Sequence, residues 1–208
     1  MVRVPVIMLN VLAVGVAVVG QVARYVPIRS DGLLVAAVPD GRGSGRGDPP
    51  AVVALARDSA DVLVVQEMTP QAASRLSAAG LDDMFQHRVI DPRDGAAGIG
   101  IWSRYPIGES GSISGYAMPM LRARIRVPEV VTEPTVVAVH LAAPWVQPVE
   151  HWQQDMARLP STLHELARDG GAGAVIVAGD LNATFDWCRS VDCSARAIAM
   201  PPSRPVPA

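Results

Sequence analysis

The chain has 208 residues, enough for one domain of ordinary size with a sizeable core. Hydrophobic residues make up 50% and charged residues 18%, which excludes a disordered or highly charged polypeptide. The formal net charge of −2 provides no global basic field, which counts against tight nonspecific nucleic-acid binding while leaving room for a local basic groove.

The first element is an apolar run from Val4 to Ala23, in which only Asn10 and Gln21 carry side chains with hydrogen-bonding needs. About twenty apolar residues suffice for a helix to cross a bilayer. Residues 1–29 therefore read as a transmembrane or signal-anchor segment, with Arg3 before the run and Arg24, Tyr25 and Arg29 after it as interfacial flanks. This implies a single-pass membrane location of open orientation. The alternatives are a cleaved signal peptide, hence secretion, and a buried strand and helix.

A strand is expected over 33–37, followed by Val38-Pro39-Asp40 and a Gly-rich stretch to Pro50. That stretch lacks the Gly-Lys-Ser/Thr ending that serves nucleotide phosphates, and it reads as a surface loop. Pro49-Pro50 open a helix over 51–58 with Asp48 as its N-cap. Further on come a strand over 62–65, a helix over 71–79, and strands near 87–90, 98–102, 121–127 and 135–140. A helix over 149–167 and a strand over 174–178 complete the pattern. This mixture, with strands clustered in the middle and no internal repeat, suits an α/β sandwich of two packed sheets across residues 30–186. The tail, residues 187–208, has four Pro among its last eight residues and reads as irregular. It holds both cysteines, Cys188 and Cys193, which read as incidental thiols or as a small loop disulfide.

Three apolar strands end in residues that can do chemistry. They are Asp61-Val62-Leu63-Val64-Val65-Gln66-Glu67, Thr135-Val136-Val137-Ala138-Val139-His140, and Val175-Ile176-Val177-Ala178-Gly179-Asp180-Leu181-Asn182. Side chains at i and i+2 share a strand face, so Asp180 and Asn182 can converge on one ligand. The carboxylate can orient or deprotonate a water and the amide can hold a phosphate oxygen, although Gly-Asp-x-Asn alone is also sound turn chemistry. Three such strands together point to one site at a sheet's carboxyl edge. Among the other histidines, His87 is a candidate for the cleft's edge, whereas His151 and His164 fall on the helix after His140 as surface positions. Trp145 and Trp152 could contact substrate or pack against the sheet.

In these motifs the chain resembles the endonuclease/exonuclease/phosphatase family over roughly residues 33 to 186. Val65-Gln66-Glu67 is similar to the family's Gln-Glu motif. Val139-His140-Leu141 with Pro144, and Gly179-Asp180-Leu181-Asn182-Ala183, are similar to its phosphate-contacting His segment and its Gly-Asp-x-Asn core. Between them, Gly98-Ile99-Gly100-Ile101-Trp102-Ser103-Arg104-Tyr105-Pro106-Ile107 resembles the strand-Ser-Arg-x-Pro-Ile segment, and the four occur in the family's order. The resemblance implies a deoxyribonuclease-like two-sheet sandwich and a metal-dependent phosphoester hydrolase using Mg²⁺ or Mn²⁺. It makes Glu67 the metal ligand, His140 the phosphate contact, Asp180 the water-orienting acid and Asn182 the group steadying the transition-state oxygens. The substrate class is nucleic acid, a small phosphorylated molecule or a lipid headgroup.

Two departures stand out. The first-strand Asn that helps hold the metal has no counterpart in Val38-Pro39-Asp40, where Asp40 is at best a substitute, and Asn10 lies too far before Glu67 for one strand, turn and helix. No His follows His164, so the family's closing Asp-His pair is missing and the sandwich reads as incomplete. These departures motivate the alternative of a catalytically degenerate, membrane-associated scaffold or binding protein.

Overall fold

Strand composition dictates the layers of this molecule, whose computed structural model describes residues 6–10, 28–30, 33–39, 49–57, 60–170 and 174–183. The elements are β1 (Val6–Asn10), β2 (Ile28–Ser30), β3 (Leu33–Pro39), α1 (Pro49–Arg57), β4 (Val62–Gln66), α2 (Pro70–Ala78), α3 (Leu81–Met84) and β5 (His87–Asp91). They continue with β6 (Ile99–Ser103), β7 (Ile107–Ile113), β8 (Met120–Ile125), β9 (Thr135–His140), α4 (Val149–Asp169) and β10 (Val175–Asp180). One sheet runs β1-β10-β9-β8-β7 and the other β2-β3-β4-β6-β5. Within them β1, β10 and β9 are mutually parallel, as are β3 and β4, and the remaining pairs are antiparallel.

β4, β9 and β10 are rich in Val and Ile, which pack well on a pleated surface, and nearly every residue is apolar because both strand faces are covered. On one face of each strand Val62 and Val64, Val136 and Ala138, and Ile176 and Ala178 meet Ile99, Ile101, Leu121 and Ala123 between the sheets. On the other face of β4, Leu63 and Val65 pack with Val53 and Ala56 of α1 and Ala72 and Leu76 of α2. Val137, Val139, Val175 and Val177 pack instead against Trp152, Leu159, Leu163 and Ala167 of α4. The result is the expected α/β sandwich. Each fully buried aliphatic side chain contributes roughly 1.5–3 kcal/mol, so these three clusters hold the strand ends in place.

Local signals place the helices. Thr69 caps α2, its hydroxyl accepting from Ala72 N at 3.1 Å, and Pro70 occupies the first turn where no backbone donor is needed. The buried stripe Trp152, Asp155, Leu159, Leu163 and Ala167 gives α4 its inward face. The Ser-Arg turn after β6 is a clamp: Arg104 Nε donates to Ala60 O at 2.8 Å, and its guanidinium lies 4.8 Å from the Phe85 ring centre.

The structure differs from the sequence expectation at four elements, β1, β2, β7 and α3, of which β2 overlaps the end of the segment expected to be a membrane anchor. Val6–Asn10, read there as the start of a hydrophobic helix, form a strand hydrogen-bonded in parallel to β10. An apolar run has no period that separates helix from buried strand, and the open edge of β10 gives this one backbone partners. Among the described residues no helix is long and apolar enough to cross a membrane. β7 and α3 were not expected: β7 contains Gly108, Glu109, Ser110, Gly111 and Ser112, and α3 has four residues. The rest of the apolar run from residue 11, Asp40, the Gly-rich loop, the Asp48 cap, both cysteines and the tail lie outside the described residues.

Candidate functional site

Side-chain alternation carries three polar residues to one level of the inter-sheet face. Gln66 continues Val62 and Val64, His140 continues Val136 and Ala138, and Asp180 continues Ile176 and Ala178, each at the carboxyl end of its strand. His140 and Asp180 are directly in register on adjacent parallel strands. The two sheets meet here through Gly179. Its φ is 145°, and a Cβ on it would lie 1.8 Å from Val139 O and 2.9 Å from Gln66 Nε2, so only glycine lets the Gln66 amide approach.

Glu67 follows β4 with a φ of 55°, a left-handed conformation that breaks the strand's alternation immediately after Gln66. The turn is pinned by Met68 N donating to Gly98 O at 3.0 Å and Arg93 N donating to Met68 O at 3.1 Å. Gly98 is required there, since a Cβ would come within 1.8 Å of Met68 O. The same loop brings Ala96 to His140, with which its backbone hydrogen-bonds. The ends of β4 and β9 are thus joined by residues 92–98.

Burial governs the electrostatics. It pushes the Asp180 carboxyl up to about 6, opposed by the Asn182 backbone N–H, which donates to Oδ1 at 2.7 Å. Burial likewise pushes the His140 imidazole below its ordinary value, the Ala96 bond acting the other way, so the ring is neutral at pH 7. Asn182, itself left-handed at φ 49°, donates from Nδ2 to Leu141 O at 2.7 Å, and Leu141 N donates to Asp180 O at 2.9 Å. Trp152 Nε1 donates to Leu181 O at 2.8 Å. The Asp180–Asn182 turn is therefore held from both sides.

Glu67, His140, Asp180 and Asn182 all emerge at the same end of the sandwich. His87 does not: it opposes Ser103, which in turn opposes Val62, at the other end of the sheet and about 13 Å along the strand from Gln66. His151 and His164 are exposed on α4. Trp152 is wholly buried packing, whereas Trp145 is 65% exposed. Sequence reasoning missed Gln66 as a site group, although a lone amide ending the apolar run Val62–Gln66 was the signal for it. It also missed a pocket of about 210 Å³ at this end, lined by Arg93, Ser112, Ser114 and Tyr116 among others.

Among the described residues no group of three or more His, Cys, Asp or Glu is arranged to hold a metal ion. The donor set fits the mode in which Mg²⁺ takes one or two carboxylates, keeps several waters and completes its shell with substrate phosphate. Glu67, directly after β4, and the half-buried Asp180, at the end of β10, are the carboxylates at this end of the sandwich that suit that mode.

A sequence model of the Endonuclease/Exonuclease/phosphatase family matches residues 40–196. The chain belongs to this family. Family members are phosphoesterases that generally depend on a divalent metal. No curated protein matches the sequence significantly. Among solved structures, humanized D. rerio TDP2 is similar with a TM-score of 0.60 and 19% identity over 76% of this chain and 65% of that one. D. rerio TDP2 complexed with a single-strand DNA product gives 0.58 and 20% over 76% and 63%. ANGEL2, a 2′,3′-cyclic phosphatase, gives 0.51 and 14% over 66% and 44%. The chain spans just under two thirds of the length of the TDP2 structures, and at these identities the likeness establishes the shared fold.

Proposed function

We propose that this protein hydrolyses a phosphoester bond with a water that Asp180 orients and deprotonates. The supporting observation is the in-register His140–Asp180 pair, with an acid pushed up to about 6 beside a neutral imidazole. A base with a pKa near the working pH combines availability with proton affinity. The Asn182 N–H aims the carboxylate, and the N–H that neutral His140 holds toward the Ala96 backbone turns to donate to a non-bridging phosphoryl oxygen when substrate binds. Asn182 steadies the site through its backbone and its Leu141 bond. Water oxygen bonds to phosphorus, the ester P–O bond breaks, and the leaving alkoxide takes its proton from solvent. Glu67 would hold Mg²⁺ or Mn²⁺, which supplies charge neutralisation on the phosphoryl oxygens when bound.

The substrate class is a nucleic-acid phosphodiester, supported by the D. rerio TDP2 complex with a single-strand DNA product and by a pocket at the same end of the sandwich lined by Tyr116 and by Arg93, which is ion-paired there with Asp91 at 2.8 Å. Arg pairs well with phosphate and an aromatic ring can stack a base. Membrane attachment through the N-terminal segment, expected over residues 1–29 and with Val6–Asn10 taken up by β1, belongs to the same proposal, and flotation of the full chain with liposomes tests it. Turnover of bis-p-nitrophenyl phosphate and single-stranded oligonucleotides with added Mg²⁺ or Mn²⁺ is expected to vanish with chelator and in Asp180→Ala. Equal rates for the wild type and Asp180→Ala would overturn it. The second reading, a scaffold that binds without turnover, draws on the absence of a three-ligand cluster among the described residues. Metal and oligonucleotide binding by calorimetry with no hydrolysis would select it.

A further inference from the structure

Gln66 is 1% exposed, and neither its Nε2 nor its Oε1 has a hydrogen-bond partner among the described residues. His140, 5% exposed, has an Nδ1 in the same condition. A buried unpaired amide is costly, and native proteins almost always satisfy such groups with protein or with ordered water. The two residues share one level of the inter-sheet face, and β4 packs across both β9 and β10. Gly179 supplies the space: with no Cβ at that position, the Gln66 amide reaches the backbone beside Asp180. Three unpaired polar atoms on facing strand ends, all of them buried, form a polar seat, the kind of place where a water makes two to four hydrogen bonds. Alanine at position 179 would close it.

We propose that Gln66 is a positioning residue for the reaction, its amide joined to His140 Nδ1 through one water trapped between the sheets, which fixes the tautomer of the ring. The assignment rests on the phosphoesterase reading above for its catalytic consequence, though not for its geometry. A neutral imidazole has one donor nitrogen and one acceptor nitrogen, and the partner at one decides which proton the other carries. With Nδ1 bound to the Gln66 water and the Ala96 backbone at the ring, His140 has one orientation and one tautomer. Loss of the amide leaves Nδ1 without its partner, so the ring is held only by the Ala96 bond and interconverts when that bond opens. Partners of this supporting kind typically carry roughly 10- to 100-fold in activity where they have been removed.

The test replaces Gln66 with Met, which keeps the volume and removes both polar atoms. Ring ¹⁵N shifts of His140 in the full chain should report a single tautomer in the wild type and a mixture in Gln66→Met. In the wild type, the Gln66 side-chain NH₂ should show a cross-peak to a long-lived water. For turnover of bis-p-nitrophenyl phosphate, kcat should fall roughly 10-fold with KM within twofold. A melting temperature close to that of the wild type shows that the fold survives the change. A Gln66→Met protein with unchanged His140 shifts and unchanged kcat overturns the assignment. So does a wild-type amide protected without any water contact, which would mean that a protein group pairs with it. If the wild type shows no metal-dependent turnover, the phosphoesterase reading falls by itself and the ¹⁵N and water measurements still decide the role of Gln66.

Discussion

Asp180 is an acid withdrawn from water, and its replacement should show what that withdrawal costs. Its carboxyl is pushed from 3.8 up to about 6, so the unfolded chain ionises it more readily than the folded one does. A raised acid is harmless below pH 4, destabilises increasingly between pH 4 and 6, and carries its whole penalty above that range. The shift corresponds to an order of 2–3 kcal/mol. Asp180→Asn, which keeps an oxygen for the Asn182 N–H, should therefore raise the melting temperature at pH 7.5 and lose that advantage by pH 4. It should also abolish hydrolysis, and the wild-type rate should fall as the pH drops through about 6. Thermal melts and a rate profile at matched pH check both outcomes. Gly179→Ala should cost about 3 kcal/mol or more, because the new methyl strikes Val139 O and the φ of 145° suits glycine alone. Urea titration measures it. At this scale the sequence located the strand ends, since Glu67, His140, Asp180 and Asn182 lie at or just past the ends of β4, β9 and β10. What it did not reveal was which polar atoms lack partners: the exposure of Gln66 Nε2 to Gly179 depends on two strands from different sheets. His87 misled for the same reason, since only strand register places it at the far end.

At the scale of elements, the turn after β10 owes its position to the helix that leads into that strand. Trp152 of α4 is fully buried and donates to Leu181 O. Trp152→Phe retains most of the packing and deletes that donor, which should cost about 1 kcal/mol and leave a buried carbonyl unpaired. Catalysis should suffer more than stability does, because Leu181 sits between Asp180 and Asn182; comparing kcat with the urea midpoint checks the disproportion. The elements themselves were largely readable. β4, β9 and β10 advertise burial on both faces through Val and Ile runs, and α4 advertises its stripe at helical spacing. β7 is opaque because its edge position tolerates glycine and serine, and β1 because an apolar run without period fits a strand as readily as a helix.

Across the whole molecule, β10 lies between β1 and β9 in one sheet and packs on β3 and β4 of the other. Amides of Val175–Asp180 and of Thr135–His140 should exchange with solvent more slowly than those of β7, which forms a sheet edge with alternating exposure. Hydrogen-exchange mass spectrometry would show it, and fast exchange in β10 would mean that the sandwich is not the stable unit.

The left-handed backbone at Glu67 has a practical consequence for anyone who engineers this protein. Two glutamates adopt it, Glu67 at φ 55° and Glu129 at φ 66°, the latter in a surface turn between β8 and β9. Asn tolerates such angles better than Glu, so Asn is the replacement that a heat-challenge library would enrich at both. Survivors carrying Glu129→Asn should retain turnover, whereas those carrying Glu67→Asn should survive the heat and be inert. Robustness and activity would part company at a single residue, and a library screened by heat alone would drift toward the inert form.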